Sequence, residues 1–430
     1  VGDPVYGGRL AIPAGASEAL AIAESARQFP GLVLALVEDV QTATRLGSEL
    51  GFFLDDPAVP LLGFPDWETL PYDVFSPLPE LVSERLLTLH RLPSLTRGVL
   101  VVPVATLLQR LPPRAYVDAH SLLLRRGDRL DLAEMSRRLE KAGYHCVSQV
   151  IAHGEYAVRG SLLDIFPMGT NMPYRIDLFD DEVETLRTFD PDTQRSQDRV
   201  EQIRLLPARE FPMDQHAVSE FRQRFRSTFE GDPQRSLIYQ EVSEGRAPGG
   251  LEYYLPLFFD HTDSLFDYLP ASVLLMESAG CRDAAAAFLA EVADRYEQRR
   301  HDRERPLLAP PQLYVRADEL VSRLNRMAGV LHQKPEVLVR RKGYAAVCNF
   351  ATHALPALGI QARAARPAGL LQDFLARPGL RVLILAESTG RREMLLDHLR
   401  GFGIRPRVAA GWRAFCAAPE PLALAVAPLE

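Results

Sequence analysis

Cysteine is scarce in this chain of 430 residues: Cys146, Cys281, Cys348 and Cys416 lie far apart and never at C-x-x-C spacing. That excludes a locally built zinc knuckle or redox dithiol and predicts buried thiols kept reduced in a cytoplasm. The ten histidines are scattered without an H-E-x-x-H, so no metal is expected. Long hydrophobic runs are missing too. Gly98 to Ala105 and Val382 to Ala386 fall far below the roughly 20 residues that cross a bilayer, and no signal-peptide pattern opens the chain, so no membrane partner is expected. A net charge of -7 supplies no global attraction for DNA or anionic lipid. There is no repeat, no low-complexity tract, and no G-x-S-x-G, G-x-G-x-x-G or kinase signature.

What remains is the composition of a folded protein, 47% hydrophobic and 24% charged, too long for a single core. LVLALV, from Leu32 to Val37, followed by Glu38-Asp39 and the pattern Thr42, Ala43, Leu46, Leu50, predicts a buried strand and a crossover helix. VLVVPVATLLQRL, Val99 to Leu111, predicts the same pair again, and apolar runs without alternation belong to parallel strands covered on both faces. After Pro112-Pro113 the texture changes. Asp131 with Glu134 predicts a helix N-terminus, Leu132, Met135, Leu139 and Ala142 its apolar face, and Gly143 its end. CVSQVIA, EYAVRGSLLDIFP, YRIDLFD, EVETLRTFD and VEQIRLLP then read as antiparallel strands. A helix-rich stretch follows, with one strand at ASVLLMES. The charge cluster Arg295 to Pro306 reads as a solvated helix end, as does the shorter Arg340-Arg341-Lys342. RVLILAE and the helix Gly390 to Leu399 form a last α/β pair. The chain stops soon afterwards, as a piece of a longer protein would.

LAIPAGASEALAIA, Leu10 to Ala23, has the outline of a phosphate-binding loop without its chemistry. Such a loop wraps phosphates in backbone N–H groups at a helix N-terminus, adds a Lys for the β/γ charge and a hydroxyl for magnesium. After Gly15 and Ser17 this chain places Glu18 and Ala19, a carboxylate and a methyl. Anion binding is predicted to fail there, whereas Ser17 suits an N-cap and Glu18 the first helical turn, worth roughly 0.3–1 kcal/mol. The partner strand Val273 to Gly280 offers only Glu277 where a motor needs paired acids for Mg²⁺. The turn Asp180-Asp181-Glu182 reads as solvated. No catalytic residue and no cofactor, ATP included, is therefore assigned.

GFPDWETLPYDVFSPLPELVSERLLTLHRL, Gly63 to Leu92, and GEYAVRGSLLDIFPMGTNMPYRIDLFDDEVETLRTFDPDTQR, Gly154 to Arg195, resemble the N-terminal half of the bacterial transcription-repair coupling factors. That half looks like UvrB, the helicase-like protein of nucleotide excision repair. The resemblance implies a degenerate RecA-like parallel sheet (1–115 and 207–312), split by an inserted α+β UvrA-binding domain (116–206) and followed by a small α/β domain of undefined role (313–430). It also implies that the DNA-clamping hairpin of UvrB has shrunk to about eight residues between Tyr72-Asp73 and Leu81. UvrA is the implied partner, in a bacterial cytoplasm. RNA polymerase, DNA and the C-terminal domains that cover the UvrA surface belong to the portion not included. The alternatives are a UvrB-like binder of damaged DNA and an ATP-dependent helicase fragment.

In YRIDLFD, strand alternation puts Tyr174, Ile176 and Leu178 on one face and Arg175, Asp177 and Phe179 on the other. An aromatic in line with charges predicts a solvated face, and exposed Arg plus Phe is the composition of a binding hot spot. The family's UvrA contacts fall on positions matching Arg159, Arg175 and Phe179. Residues 116–206 hold 12 Lys plus Arg against 16 Asp plus Glu, a net of -4 that favours protein docking over wrapping DNA.

Overall fold

The computed structural model describes residues 6–11, 16–333, 344–349, 356–361 and 363–427. Gly15 of the phosphate-loop outline and the run Arg340-Arg341-Lys342 lie outside the described residues. Seven parallel strands form the central sheet. Their order across it is Tyr344–Asn349, Tyr6–Ala11, Ala328–Gln333, Val273–Ser278, Leu32–Val37, Gly98–Pro103 and Leu61–Gly63. Leu32–Val37 and Gly98–Pro103 are buried at every position, as unbroken apolar runs covered on both faces must be.

Asp39 caps the helix Val40–Leu54 by accepting from the Thr42 N–H at 2.7 Å. The second crossover is shorter than the sequence suggests. Val104–Leu107 is a single turn, because the chain leaves it directly for Arg110–Leu111, which pairs with Asp263–Ser264.

Between the sheet's fourth and fifth strands in chain order lies the insert. Its helix Leu132–Lys141 begins at Asp131, which accepts from the Glu134 N–H at 2.9 Å, and ends before Gly143, whose φ of +90° suits glycine. A six-stranded sheet runs in the order Ser196–Val200, Glu182–Phe189, Tyr174–Phe179, Leu162–Ile165, Glu155–Arg159, His145–Cys146. CVSQVIA contributes only the end of the two-residue strand His145–Cys146, which pairs in parallel with Glu155–Arg159; Gln202–Leu205 leaves this sheet to pair with Leu122–Arg125. The inner face (Tyr156, Leu163, Ile176, Leu178, Leu186) joins one continuous core with Leu34, Leu36 and Leu100 of the central sheet. Each such buried side chain contributes roughly 1.5–3 kcal/mol.

A separate three-stranded parallel sheet, Val382–Ala386, Leu422–Val426 and Arg407–Val408, carries the helices Thr389–Gly401 and Trp412–Ala417. It meets the first unit where Trp412 packs edge-on against Phe53, ring centroids 5.2 Å apart. Cys281 is buried as expected, but Cys146 and Cys416 are exposed, because each sits at the end of a short surface element. Among the described residues no helix is long and apolar enough to cross a membrane.

Candidate functional site

Two places collect the residues singled out by the sequence: the carboxyl ends of the central strands and the outer face of the insert's sheet.

At the first, the helix Ser17–Gln28 starts one residue earlier than a Ser17 cap requires. Ala16 is the N-cap, its φ of -70° and ψ of 9° already close to helical, with no side-chain cap bond. Ser17 is therefore the first helical residue, which corrects the N-cap reading. Glu18 turns toward the neighbouring helix, where Arg45 lies 3.4 Å away and also meets buried Glu49 at 3.1 Å. Burial alone would lower the Arg45 pKa, but Glu49 and then Glu18 outweigh it and the pKa is raised. Ala19 is fully buried in the apolar layer with Ile22 and Val33.

Glu277, fully buried near the end of its strand, pairs with Arg282 at 2.8 Å, and Arg282 also reaches Asn325 at 3.2 Å. The Ser278 hydroxyl donates to Glu38. Buried Cys281 donates to the Leu36 carbonyl at 3.2 Å; burial first, then Glu38, Glu277 and Glu18, pushes its thiol well up. A carboxylate from each of three chain segments, Glu18, Glu38 and Glu277, thus bears on the Cys281 thiol at the carboxyl end of the sheet. Among the described residues no cluster of three or more His, Cys, Asp or Glu could hold a metal ion.

On the insert, strand registry brings the second set onto one face. Arg159 pairs with Leu162, which pairs with Asp177, while Asp164 pairs with Arg175; alternation then places Arg159, Arg175 and Phe179 on the same side. Ile176 and Leu178 are buried at 0% and 6%, whereas Phe179 is 71% exposed. Arg159 is exposed and donates to the Ser148 carbonyl.

Arg175 departs from the free, solvated side chain predicted. It grips Asp164 through both carboxylate oxygens, at 2.8 and 2.9 Å, lies 4.9 Å over the Phe189 ring, and is only 18% exposed. The hydrogen bond to Asp164 is the main reason its pKa is raised. One end of this face is closed by a small core of Val150, Ala157, Phe166 and Phe189, and Arg175 stands at its edge. Sequence parity found the face and missed Asp164, whose only signal is a strand position opposite an arginine. The turn Asp180-Asp181-Glu182 is exposed as predicted, with Asp180 at φ +55°.

A cleft of about 320 Å³ lies where the insert meets the first unit, with Trp67, His145, Arg209 and Glu252 in its lining. Arg209 and His145 approach to 2.9 Å, and the Ser76 hydroxyl donates to Glu252 at 2.9 Å. Burial pushes the Glu252 carboxyl up to about 7. Arg85 and Glu210 form a buried pair beside it at 2.5 Å.

Comparison with known proteins agrees with this layout. Residues 122–211 match the family model of the UvrB interaction domain, and residues 374–430 match that described as MFD, D3 domain. The transcription-repair-coupling factor of Escherichia coli strain K12 is 44% identical over 394 residues, 91% of this chain and 34% of the relative. That of Haemophilus influenzae is 42% identical over 396 residues, again 91% and 34%. That of Bacillus subtilis is 28% identical over 57% of this chain and 22% of the relative. The chain belongs to the transcription-repair-coupling factor family and spans about a third of the length of the curated relatives it matches.

Proposed function

We propose that this chain is a recruitment module without catalysis of its own, which docks UvrA and so links nucleotide excision repair to stalled transcription. The observation that carries the reading is Phe179, held 71% exposed on a strand whose opposite face is core, within a stretch that matches a UvrB interaction domain. An aromatic that is rigid and wet in the free protein loses little entropy on docking and gains from burial. Arg159 supplies an exposed cation beside it; Arg175 holds the sheet edge through Asp164. Pull-down and calorimetry with purified UvrA test this. The wild-type chain should bind, and Arg159→Ala, Arg175→Ala and Phe179→Ala combined should abolish binding; undiminished binding would refute the assignment.

The central sheet with 1–115 and 207–312 serves, in the same reading, as a RecA-like frame whose nucleotide site has lapsed, and 313–430 as a small domain attached to it. Glu18, turned onto Arg45, and Ala19, buried in the apolar layer, support this, because the helix start offers a triphosphate neither the ammonium nor the hydroxyl that a phosphate loop supplies. Translocation on DNA and contact with RNA polymerase are assigned to the rest of the longer protein.

A further inference from the structure

We propose a second docking surface, on the first unit, that takes a basic and apolar protein segment. Four large hydrophobic side chains fall within the stretch Leu70 to Leu78 and face solvent: Leu70 is 52% exposed, Val74 39%, Phe75 67% and Leu78 61%. Exposed large apolar side chains gathered in so short a stretch are what interaction sites in folded proteins present.

The loop is not loose. Arg295 donates to the Pro71 carbonyl at 2.7 Å and Arg299 to that of Tyr72 at 2.6 Å, while the Tyr72 hydroxyl donates to Leu308 at 2.9 Å. These contacts correct the reading of Arg295 to Pro306 as merely a solvated helix end. The Gly250 N–H donates to Ser76, and a β-carbon at Gly249 would lie 2.5 Å from the Val74 carbonyl oxygen. Glu68 and Tyr72 are both held at positive φ, 56° and 60°. Clamped from beneath, the loop presents its apolar side chains with little ordering cost left for a partner.

Charge selects the partner. From Leu46 to Glu84 there is no Lys, Arg or His, against the acids Asp55, Asp56, Asp66, Glu68, Asp73, Glu80 and Glu84, with Glu49 buried on Arg45. Glu68, Glu80 and Glu84 are exposed around the loop. Glu68 and Glu84 also line a groove of about 510 Å³ beside the edge strand Leu61–Gly63, with Ala43, Phe64 and Leu81 on its walls. Glu68 and Leu81, which line the groove, flank the loop Leu70 to Leu78 on either side in the chain. Nucleic acid would be repelled. A symmetric contact with another copy of the chain would set these carboxylates against one another. A segment with Leu or Phe for the loop and Lys or Arg for the rim satisfies both terms.

The test uses the whole 430-residue chain and two fluorescein-labelled synthetic peptides sharing the same Leu and Phe residues, one carrying Lys and the other Glu between them. Fluorescence anisotropy should show the basic peptide binding about tenfold or more tightly than the acidic one, weakening with salt. Phe75→Ser with Leu78→Ser should remove that binding with unchanged thermal melting, since both side chains are exposed. Glu68→Lys with Glu84→Lys should reverse the preference, and Phe179→Ala should leave it unaltered, which separates this surface from UvrA docking. Equal binding of both peptides, insensitivity to the loop variants, or a doubling of mass in sedimentation that the loop variants abolish would overturn the proposal.

Discussion

The carboxyl edge of the central sheet and the outer face of the insert are both rigid, yet they use their polar groups in opposite ways. At the sheet edge most charges meet internally, Glu18 and Glu49 on Arg45 and Glu277 on Arg282, while Glu38 accepts from the Ser278 hydroxyl. On the insert the ionic pair Arg175–Asp164 lies at one end of the face, while Phe179 and Arg159 remain open at the other. In the function proposed above, the sheet edge is inert because its charges meet one another, and the insert face is usable because a paired strand holds Phe179 in water.

The largest expected effect tests the open side. Phe179→Ala with Arg159→Ala should weaken UvrA binding at least about 100-fold, close to 2.7 kcal/mol, in calorimetry. Melting should stay near wild type, because neither side chain is buried. Retained affinity in a folded variant would erase the contrast between the two regions.

Arg175→Ala sharpens the boundary within the insert itself. Removing one partner leaves Asp164, only 3% exposed, without its cation, and should cost about 2–3 kcal/mol in urea denaturation. Arg175→Lys keeps the charge but loses the two-pronged grip and should fall between. Lost UvrA binding at full stability would instead make Arg175 a direct contact.

Much of this was legible from period and parity. Unbroken apolar runs announced the parallel strands, and alternation in Tyr174 to Phe179 separated buried Ile176 and Leu178 from exposed Phe179, although it missed that Arg175 turns onto Asp164. Partners distant in sequence were not legible. Glu18 lies 27 residues from Arg45, and Arg175 meets Asp164 across a strand pair, so neither ion pair leaves a trace in the local pattern. The loop at Leu70 to Leu78 was recognisable only by resemblance, since its exposure depends on Arg295 and Arg299, more than 200 residues away.

A smaller effect is expected in the cleft between the two regions. With its pKa raised to about 7, folded Glu252 holds a proton that the unfolded chain releases near 4.5. The folded state binds more protons, so this contribution to stability is fully present below pH 4.5, declines as pH rises to about 7, and is flat above. His145, in the same cleft, has its pKa lowered by burial and by Arg209, and acts in the opposite sense below 6.5. Glu252→Gln should therefore raise stability at pH 8 relative to pH 5 by roughly 1–2 kcal/mol compared with wild type. Parallel stability curves would place that carboxyl in water.

The smallest expected effect is none at all, and it bears on the closed side. Glu18→Lys restores the ammonium of a phosphate loop at its proper place, and if that single charge were the whole defect, ATP binding should appear. Ala19 would still be buried and offer magnesium no hydroxyl, Glu277 would still hold Arg282, and the new ammonium would be repelled by Arg45, which closes on Glu18 at 3.4 Å. Titration with ATP and Mg²⁺ should thus show no heat above dilution for wild type or variant. Micromolar binding by Glu18→Lys alone would mean that the frame still holds a nearly intact nucleotide site, closed by one side chain and not by the saturation of all its charges.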